Sequence, residues 1–519
     1  MATEASFANM PLRLGSAEDF ARVESLLRSS HFDEATVCGL LKIHSLSHLG
    51  AVDREQVELS DAGLGALAPL IRLFLLLEAV DRDAVKQAVS PGAIESLLAL
   101  DLIRPVSTPD GEACCSTVLL CPVAGRFVAS DRHKSPDGSP FTPPPDAVFP
   151  AAFIGTLRFL RVISTAPTKD ALDLCSGSGI AALVLSKSSQ RVVACDITAR
   201  ATHFAEFNRA LNRCFNVEVE EGDLYSAVEG RTFDRIVAHP PYVPSLGTEQ
   251  IYRDGGETGE TLVKRIIEGL PQHLNPGGSF YCVCAGWDAH DGPFEERARA
   301  WLGESHRDFD VIFAINNDMA PEQLAEQLAK QSPRDGADTL QWDRLFSDAG
   351  MERLVYGAVV IHRRSKAEVA GEGEPLTLRL RLSTLTDGAC LDWALRWHRW
   401  RARAEKTGQL SGAVLGSRPR FGPRLQAKVT YAVEEGTLVA TDVVLESESP
   451  FLAATRVDLW VMPVVANFNG TRAVAEVYET AREASMTPVS LSLDDFAGLV
   501  ANMIERGYLE IDESELRPR

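Results

Sequence analysis

The sequence predicts a chain in three parts: a central α/β domain built on an open, mostly parallel sheet, an N-terminal mostly helical domain, and a C-terminal α+β domain. Three observations carry this. At 519 residues the chain is too long for one ordinary core. Across residues 149–364, β-like and helical runs alternate, as in a parallel sheet covered by helices on both faces. Inside that span a β-like run, 171–174, ends in a glycine-bearing turn and a new helical run opens directly after it.

Bulk properties narrow the class. The chain is 45% hydrophobic and 24% charged, which is the balance of a soluble globular protein. A net charge of -20 argues against a protein that coats nucleic acid uniformly, though it leaves room for a local basic patch. None of the ten cysteines forms paired C-x-x-C knuckles, so buried free thiols in a reducing compartment are expected. The eleven histidines do not cluster with carboxylates at ligand spacing, and no metal is expected. The N-terminus lacks a charged-then-apolar signal segment. The longest apolar stretch, 64–77, contains Pro69 and Arg72 and falls short of the ~20 residues of a membrane span. A cytoplasmic enzyme is the expectation.

Residues 1–130 form the first part. Ser16 and Asp19 open a run with Phe20, Val23, Leu26 and Leu27 on one face, a capped amphipathic helix. Further helical patterns follow at 34–43, 64–79, 81–88 and 91–100. A Pro109-Asp110-Gly111 turn comes next, flanked by two β-like runs, the second over 116–122. Helices followed by a hairpin suggest a winged-helix-like module. It would either dock a substrate or nucleic acid, or cap the next domain. Pro136, Pro140, Pro143, Pro144 and Pro145 among polar residues mark 131–147 as a linker. The α/β domain then occupies 148–365, and a polar stretch, 366–375, reads as a second linker. The last part, 376–519, mixes β-runs at 376–382, 425–432, 437–446 and 455–464 with helical runs at 391–405, 473–484 and 493–506. No internal repeat is seen.

The chemistry lies at successive strand ends of the central domain. Asp173-Leu174-Cys175-Ser176-Gly177-Ser178-Gly179 joins the first strand to its helix. Glycines let the backbone approach a ligand where a Cβ would clash, and the helix N-terminus offers free N–H groups. Open α/β sheets bind ligands there, beyond the carboxyl ends of the strands. One unit later, the run 191–194 ends in Cys195-Asp196-Ile197. A carboxylate at that tip can accept hydrogen bonds from two ribose hydroxyls; a helix-capping role is the plainer alternative. A third run, 217–220, leads to Gly222-Asp223-Leu224, where Asp223 can accept from an adenine amino group and Leu224 can lie against the ring.

The fourth run, 233–238, ends in His239-Pro240-Pro241-Tyr242. Two prolines remove two N–H donors and leave the carbonyls before them free to accept from something else. A tyrosine beside them can stack on a planar group. Together they suit a planar amide or amino nitrogen whose N–H groups are held by oxygens while its lone pair faces a methyl donor. The gain is orientation and charge stabilisation rather than strong base catalysis.

On these residues, 149–364 resemble a class I S-adenosylmethionine-dependent methyltransferase with an Asn-Pro-Pro-Tyr type motif. That group includes the release-factor glutamine methyltransferases, the ribosomal RNA guanine-N2 methyltransferases and the adenine-N6 enzymes. Arg253-Asp254-Gly255-Gly256-Glu257-Thr258-Gly259 resembles the Gly-Gly loop that follows the motif in the glutamine and RNA enzymes. Leu274-Asn275-Pro276-Gly277-Gly278 resembles their turn into a fifth strand, and 353–363 a terminal strand. The resemblance implies a Rossmann-like class I methyltransferase sheet with S-adenosyl-L-methionine as cofactor. It implies cofactor contacts at Asp173, Cys175, Gly177, Gly179, Asp196, Ile197, Asp223 and Leu224, and catalysis at His239, Pro240, Pro241 and Tyr242. The acceptor would be an RNA base or a protein glutamine. A catalytically degenerate methyltransferase-fold binding module and a small-molecule methyltransferase are the alternatives.

The pattern departs at His239, where the group usually has Asn, Asp or Ser. A neutral histidine can accept through one ring nitrogen. The expectation is that His239 replaces the Asn acceptor and makes the rate vary between about pH 5.5 and 8.5, because a protonated ring cannot accept. A second signal is local charge. From Arg396 to Lys428 there are nine Lys or Arg residues and one acid, Glu405, and Trp393, Trp397 and Trp400 recur at helical spacing. Trp393, Arg396, Trp397, Arg399, Trp400, Arg401 and Arg403 therefore form a candidate contact segment for RNA or a protein substrate. The alternative is an amphipathic helix with core tryptophans and a solvated arginine rim.

Overall fold

A computed structural model describes residues 10–53, 57, 59, 61–109, 111–135, 141–247, 250–331 and 339–512. The chain divides into two compact units: residues 1–160, 165–286 and 320–352, and residues 161–164, 287–319 and 353–519. Among the described residues no helix is long and apolar enough to cross a membrane.

The first unit begins with helices α1 (Ala17–Ser29), α2 (Glu34–Leu41), α3 (Leu67–Phe74), α4 (Arg82–Ala88) and α5 (Pro91–Ala99). Ser16 caps α1 in the expected way: its hydroxyl accepts from the Asp19 N–H at 3.1 Å, and the Asp19 carboxylate accepts from the Ser16 N–H. Phe20, Val23 and Leu27 are the buried face. Strands β1 (Ile103–Thr108) and β2 (Gly111–Ser116) then pair antiparallel across the expected turn, whose Asp110 lies outside the described residues. The expected strand over 116–122 is corrected. β2 ends at Ser116, whose hydroxyl bonds the Val118 backbone and turns the chain. A second hairpin follows, β3 (Leu119–Val123) with β4 (Arg126–Ser130).

This hairpin is held by side chains that act as a surrogate strand. The Asn208 carboxamide accepts from the Ala129 N–H at 2.8 Å and donates to the Ala129 carbonyl at 2.9 Å. Asn212 repeats the arrangement on Phe127, at 2.9 and 2.7 Å. Both asparagines are buried, so the outer edge of β4 is satisfied without another strand. The stretch read as a linker is likewise no free tether at its ends. Asp131 and Arg132 are buried, and the Asp131 carboxylate accepts from the Val148 N–H and pairs with Arg200. Prolines 136 and 140 lie outside the described residues.

Helix α6 (Ile154–Val162) leads into the sheet that positions the site. Its strands are β5 (Thr168–Leu174), β6 (Ser189–Asp196), β7 (Val217–Glu221), β8 (Phe233–Ala238) and β9 (Leu274–Ala289, of which 274–286 belong to this unit). They run parallel in the order β9-β8-β5-β6-β7. Helices α7 (Ile180–Leu185), α8 (Ala199–Leu211) and α9 (Thr261–His273) connect them. The middle of β5, β6 and β8 is fully buried, as expected of parallel strands covered on both faces. Chain order reverses between β5 and β8. A crevice therefore opens at their carboxyl ends, because the following connections leave on opposite faces.

In the second unit, α10 (Phe294–Ala300) precedes β10 (Phe309–Met319), which pairs antiparallel with β11 (Met351–Arg363) and parallel with β12 (Thr377–Arg381). The second expected linker is corrected. Ser365 and Glu368 form a capping box that opens helix α11 (Lys366–Glu372). Helices α12 (Gly388–Lys406), α13 (Leu410–Gly416), α14 (Val474–Glu483) and α15 (Leu493–Glu505) pack with an antiparallel sheet of β13 (Gln426–Glu434), β14 (Thr437–Ser447) and β15 (Ala453–Val457). Trp397, Leu445, Phe468, Tyr478 and Phe496 share its core.

Candidate functional site

Asp173, near the end of β5, is 1% exposed and accepts from the Ala182 N–H of α7 at 2.9 Å, which ties strand to helix. Burial, with Asp196 nearby, pushes its carboxyl up to about 8 against the effect of that N–H. The chain then turns through left-handed conformations. Cys175 has φ 56° although it carries a side chain, and Gly177 has φ 52°. A Cβ on Gly177 would meet nothing within 4 Å, so the space beside this backbone is open. Gly179 has another task. A Cβ there would lie 3.1 Å from the Ala205 Cβ, so its bareness lets α7 approach α8.

Asp196, at the end of β6, closes over this turn. One of its oxygens accepts from the Gly177 N–H at 2.9 Å and the other from the Thr198 N–H at 3.2 Å. Burial raises its pKa despite these donors. The capping alternative is thus partly realised, since Thr198 in turn caps α8. Ile197 is 53% exposed. At the end of β7, Asp223 is half-exposed and pairs with Arg265 of α9 at 2.8 Å, while Leu224 is buried.

The β8 end carries the tetrapeptide. The His239 ring stacks on Phe159, with centroids 5.1 Å apart and planes 21° apart, and lies 6.0 Å from the Tyr242 ring. Its Nε2 is buried with no hydrogen-bond partner among the described residues. Burial lowers the imidazole to about 4. A shift of that size moves the expected pH response of His239 below the window of pH 5.5 to 8.5. The following loop is laced to the motif. Val243 donates to the Arg253 carbonyl, Gly255 to that of Val243, and Ser245 to that of Gly256, at 2.9–3.1 Å. A Cβ on Gly255 would come within 2.8 Å of the Tyr242 Cα, which is why glycine stands there.

These strand ends surround one cavity of about 500 Å³. Every residue that the sequence marked for the cofactor or for catalysis lines it, except Gly179. The cavity also takes in residues that the sequence reading missed. Phe159 forms the floor beneath His239. Phe149 packs edge-on against Phe153 at 4.8 Å and stacks on Tyr252 at 5.5 Å, and both phenylalanines remain more than 40% exposed at the rim. Phe149 and Phe153 sit four apart at the entry to α6, a spacing that could have marked them. Arg265 carries no such sign, being 42 positions from Asp223. Among the described residues no group of three or more His, Cys, Asp or Glu side chains could hold a metal ion.

The tryptophan–arginine segment is a correction. It forms helix α12, but Trp397 is 2% exposed within the second unit's core and is flanked at 5.9 and 5.1 Å by Trp393 and Trp400, which are half-buried against that core. Arg399 is buried and bonded to Asp310 and Glu368; Arg401 pairs with Glu405 and Glu505. Only Arg396 and Arg403 of the seven are exposed. The Trp397 ring is taken up by packing and the Arg399 and Arg401 charges by carboxylates, so the centre of the segment is committed to the fold.

Residues 147–288 match the methyltransferase small domain family. The chain is 35% identical over 157 residues to the release factor glutamine methyltransferase of Koribacter versatilis, covering 27% of this chain and 55% of that protein. It is 32% identical over 132 residues to the ribosomal protein uL3 glutamine methyltransferase of Xanthomonas campestris, covering 23% and 43%. A release factor glutamine methyltransferase of Thermodesulfovibrio yellowstonii is 31% identical over 123 residues, covering 21% and 44%. The chain spans about half the length of these curated relatives. The match to the methyltransferase small domain family thus falls on the strands that wall the cavity, and the α/β domain is similar in sequence to glutamine methyltransferases.

Proposed function

We propose that this chain is an S-adenosylmethionine-dependent N-methyltransferase whose acceptor is the side-chain amide of a protein glutamine. One observation carries the reading: a half-buried His239, whose pKa is lowered to about 4, and the Pro240-Pro241-Tyr242 backbone line the same cavity as the open Gly177 turn and Asp196. The relatives' names, which specify glutamine in a release factor and in ribosomal protein uL3, support glutamine over an RNA base. The loss of the tryptophan–arginine segment as a free surface removes the main argument for RNA. A translation protein as acceptor also suits a cytoplasmic site of action.

The residues fit the cofactor. The cavity is within the 300–1,000 Å³ range of small-molecule sites, and the open space over Gly177 admits a ligand against the backbone. Asp196 has carboxylate lone pairs left for ribose hydroxyls, and Asp223 and Leu224, which line the same cavity, could take the adenine. When bound, S-adenosylmethionine supplies an electrophilic methyl group.

The chain's own work is to orient the amide. Pro240 and Pro241 have no N–H, and no described donor reaches the carbonyl oxygens of His239 or Pro240. Those carbonyls and a His239 ring nitrogen can accept the two amide N–H bonds and turn the nitrogen lone pair towards the methyl. Tyr242 covers the amide plane. With a pKa of about 4, His239 is a poor base at neutral pH. It therefore serves as a hydrogen-bond acceptor, and the proton lost on N-methylation leaves for water. Transfer would form the N–C bond at the expense of the cofactor's S–C bond, with the electron pair left on sulfur.

The test is labelled-methyl transfer from S-adenosylmethionine into fractionated protein, RNA and metabolites, with mass spectrometry of labelled peptides. Methyl on a glutamine amide is expected. Label confined to RNA or metabolites overturns the acceptor, and cofactor binding with no transfer to any fraction overturns the enzyme reading in favour of a degenerate binding module.

A further inference from the structure

The second unit carries an apolar edge that its own fold leaves uncovered. β13 and β14 form a ribbon whose base, at Val429, Val443 and Leu445, joins the core. Its outer half runs past that core. Tyr431, Val433 and Leu438 are 55%, 74% and 67% exposed, and Val433 stands directly across from Leu438. β13 is also an edge strand of nine residues: among the described residues it pairs with β14 alone. Alternate residues therefore present free N–H and C=O groups outwards. Natural edges are usually protected by proline, a bulge or inward charge. Here the bulge falls between Thr430 and Tyr431 in the pairing with β14, and the five residues 429–433, Val-Thr-Tyr-Ala-Val, include neither proline nor charge.

The same strand is complementary to itself. Antiparallel pairing about a two-fold axis through Tyr431 sets Tyr431 against Tyr431, Val429 against Val433, Thr430 against Ala432 and Lys428 against Glu434. The valines meet valines and the tyrosines each other, Ala432 meets the small Thr430, and the flanking charges meet with opposite sign. Lys428 already bonds Glu446 at 2.8 Å, so it would bridge two acids. Such a contact is isologous and closes at two copies. We infer that β13 is a self-association edge, by which two copies of this chain join their β13–β14–β15 sheets across an antiparallel β13–β13 pair. The pairing would satisfy the free backbone groups and set the exposed tyrosines and valines against each other. This inference uses no residue of the methyl-transfer cavity and stands apart from it.

The experiment is the mass of the full chain in solution by light scattering or sedimentation, at roughly 50 µM, where a micromolar dimer is populated. A dimer is expected. Glu434→Lys places like charges across the pair twice and should weaken association by about ten-fold. The register is read by Tyr431→Cys. Residues facing one another in an antiparallel pair have Cα atoms about 4.5–5.5 Å apart, within disulfide reach, so mild oxidation should cross-link this variant. Val489→Cys, on a 98% exposed residue, and the unaltered chain should not cross-link. A monomer at that concentration overturns the inference. So does a dimer indifferent to Glu434→Lys, or one in which Val489→Cys cross-links as readily as Tyr431→Cys. Methyl-transfer activity should be equal in Glu434→Lys and the unaltered chain.

Discussion

Buried polar side chains are satisfied in opposite ways around the cavity of the first unit and beside helix α12 of the second. In the first, Asp173 and Asp196 are held by backbone N–H groups and the His239 Nε2 by no described partner, and all three residues line a cavity. In the second, Arg399 is bonded to Asp310 and Glu368, and Arg379 to Asp288 and Glu295. Charge there is met by charge. A buried polar group matched by an opposite charge has spent its bonding capacity on the fold. One held only by backbone, beside open space, keeps capacity for a ligand. By that criterion the site lies in the first unit, although the densest run of basic and aromatic residues lies in the second.

The contrast is breakable, and the largest expected effect lies on the structural side. Trp397→Ala should destabilise the second unit by about 3–5 kcal/mol, the cost of emptying a large core site. Denaturant unfolding checks this; a change below about 1 kcal/mol would mean that the ring is a surface feature after all. On the cavity side, Asp196→Ala should weaken S-adenosylmethionine binding by about 1–3 kcal/mol, since it removes a charged acceptor and frees the Gly177 turn. Unchanged affinity in calorimetry would sink the ribose assignment. Tyr242→Ala should lower turnover about 10–100-fold, or about 1.4–2.7 kcal/mol, with cofactor affinity retained. If affinity collapses instead, Tyr242 belongs to the cofactor and not to the acceptor.

Two smaller effects sharpen the comparison further. His239 has its folded pKa lowered to about 4, from an ordinary value near 6.5. The ring is neutral above that value and can accept; as pH falls through it, the ring protonates and cannot. A rate profile should therefore show no His239 titration from about pH 5.5 to 8.5 and should fall only at more acid pH. A step near pH 6.5 would mean that the ring is solvated. Stability has the same sign. Below about pH 6.5 the unfolded chain takes up this proton first, so the native state should lose stability as pH drops from there towards 4. Smallest of all, Arg403→Ala alters an exposed side chain on α12 and should change stability by less than about 0.5 kcal/mol and leave methyl transfer unaltered.

Much of the site was legible because its signals repeat in register. Four β-like runs each end in a small set of polar or glycine residues. A parallel sheet brings all its carboxyl ends to one side, so linear order becomes spatial convergence. What was not legible came from contacts across long separations. Asn208 and Asn212 look like ordinary polar positions of a helix until β4 is found lying against them. Phe159 and Arg265 reach the cavity through helices whose rotation no local pattern fixes. Two polar, proline-bearing stretches resemble linkers, yet Asp131 and Glu368 anchor them through Arg200 and Arg399, partners distant in the chain.

By itself, then, the sequence determined the alternation of strands and helices, the strand-end motifs and hence the family that the central domain resembles. These rest on periodicity and on backbone-specific residues, glycine and proline, whose effects are local. Tertiary structure alone decided which charged and aromatic groups remain free. Trp397 and Arg399 are consumed by neighbours far along the chain. His239, closed in by Phe159, is kept neutral by burial, and burial is a property of the packed whole.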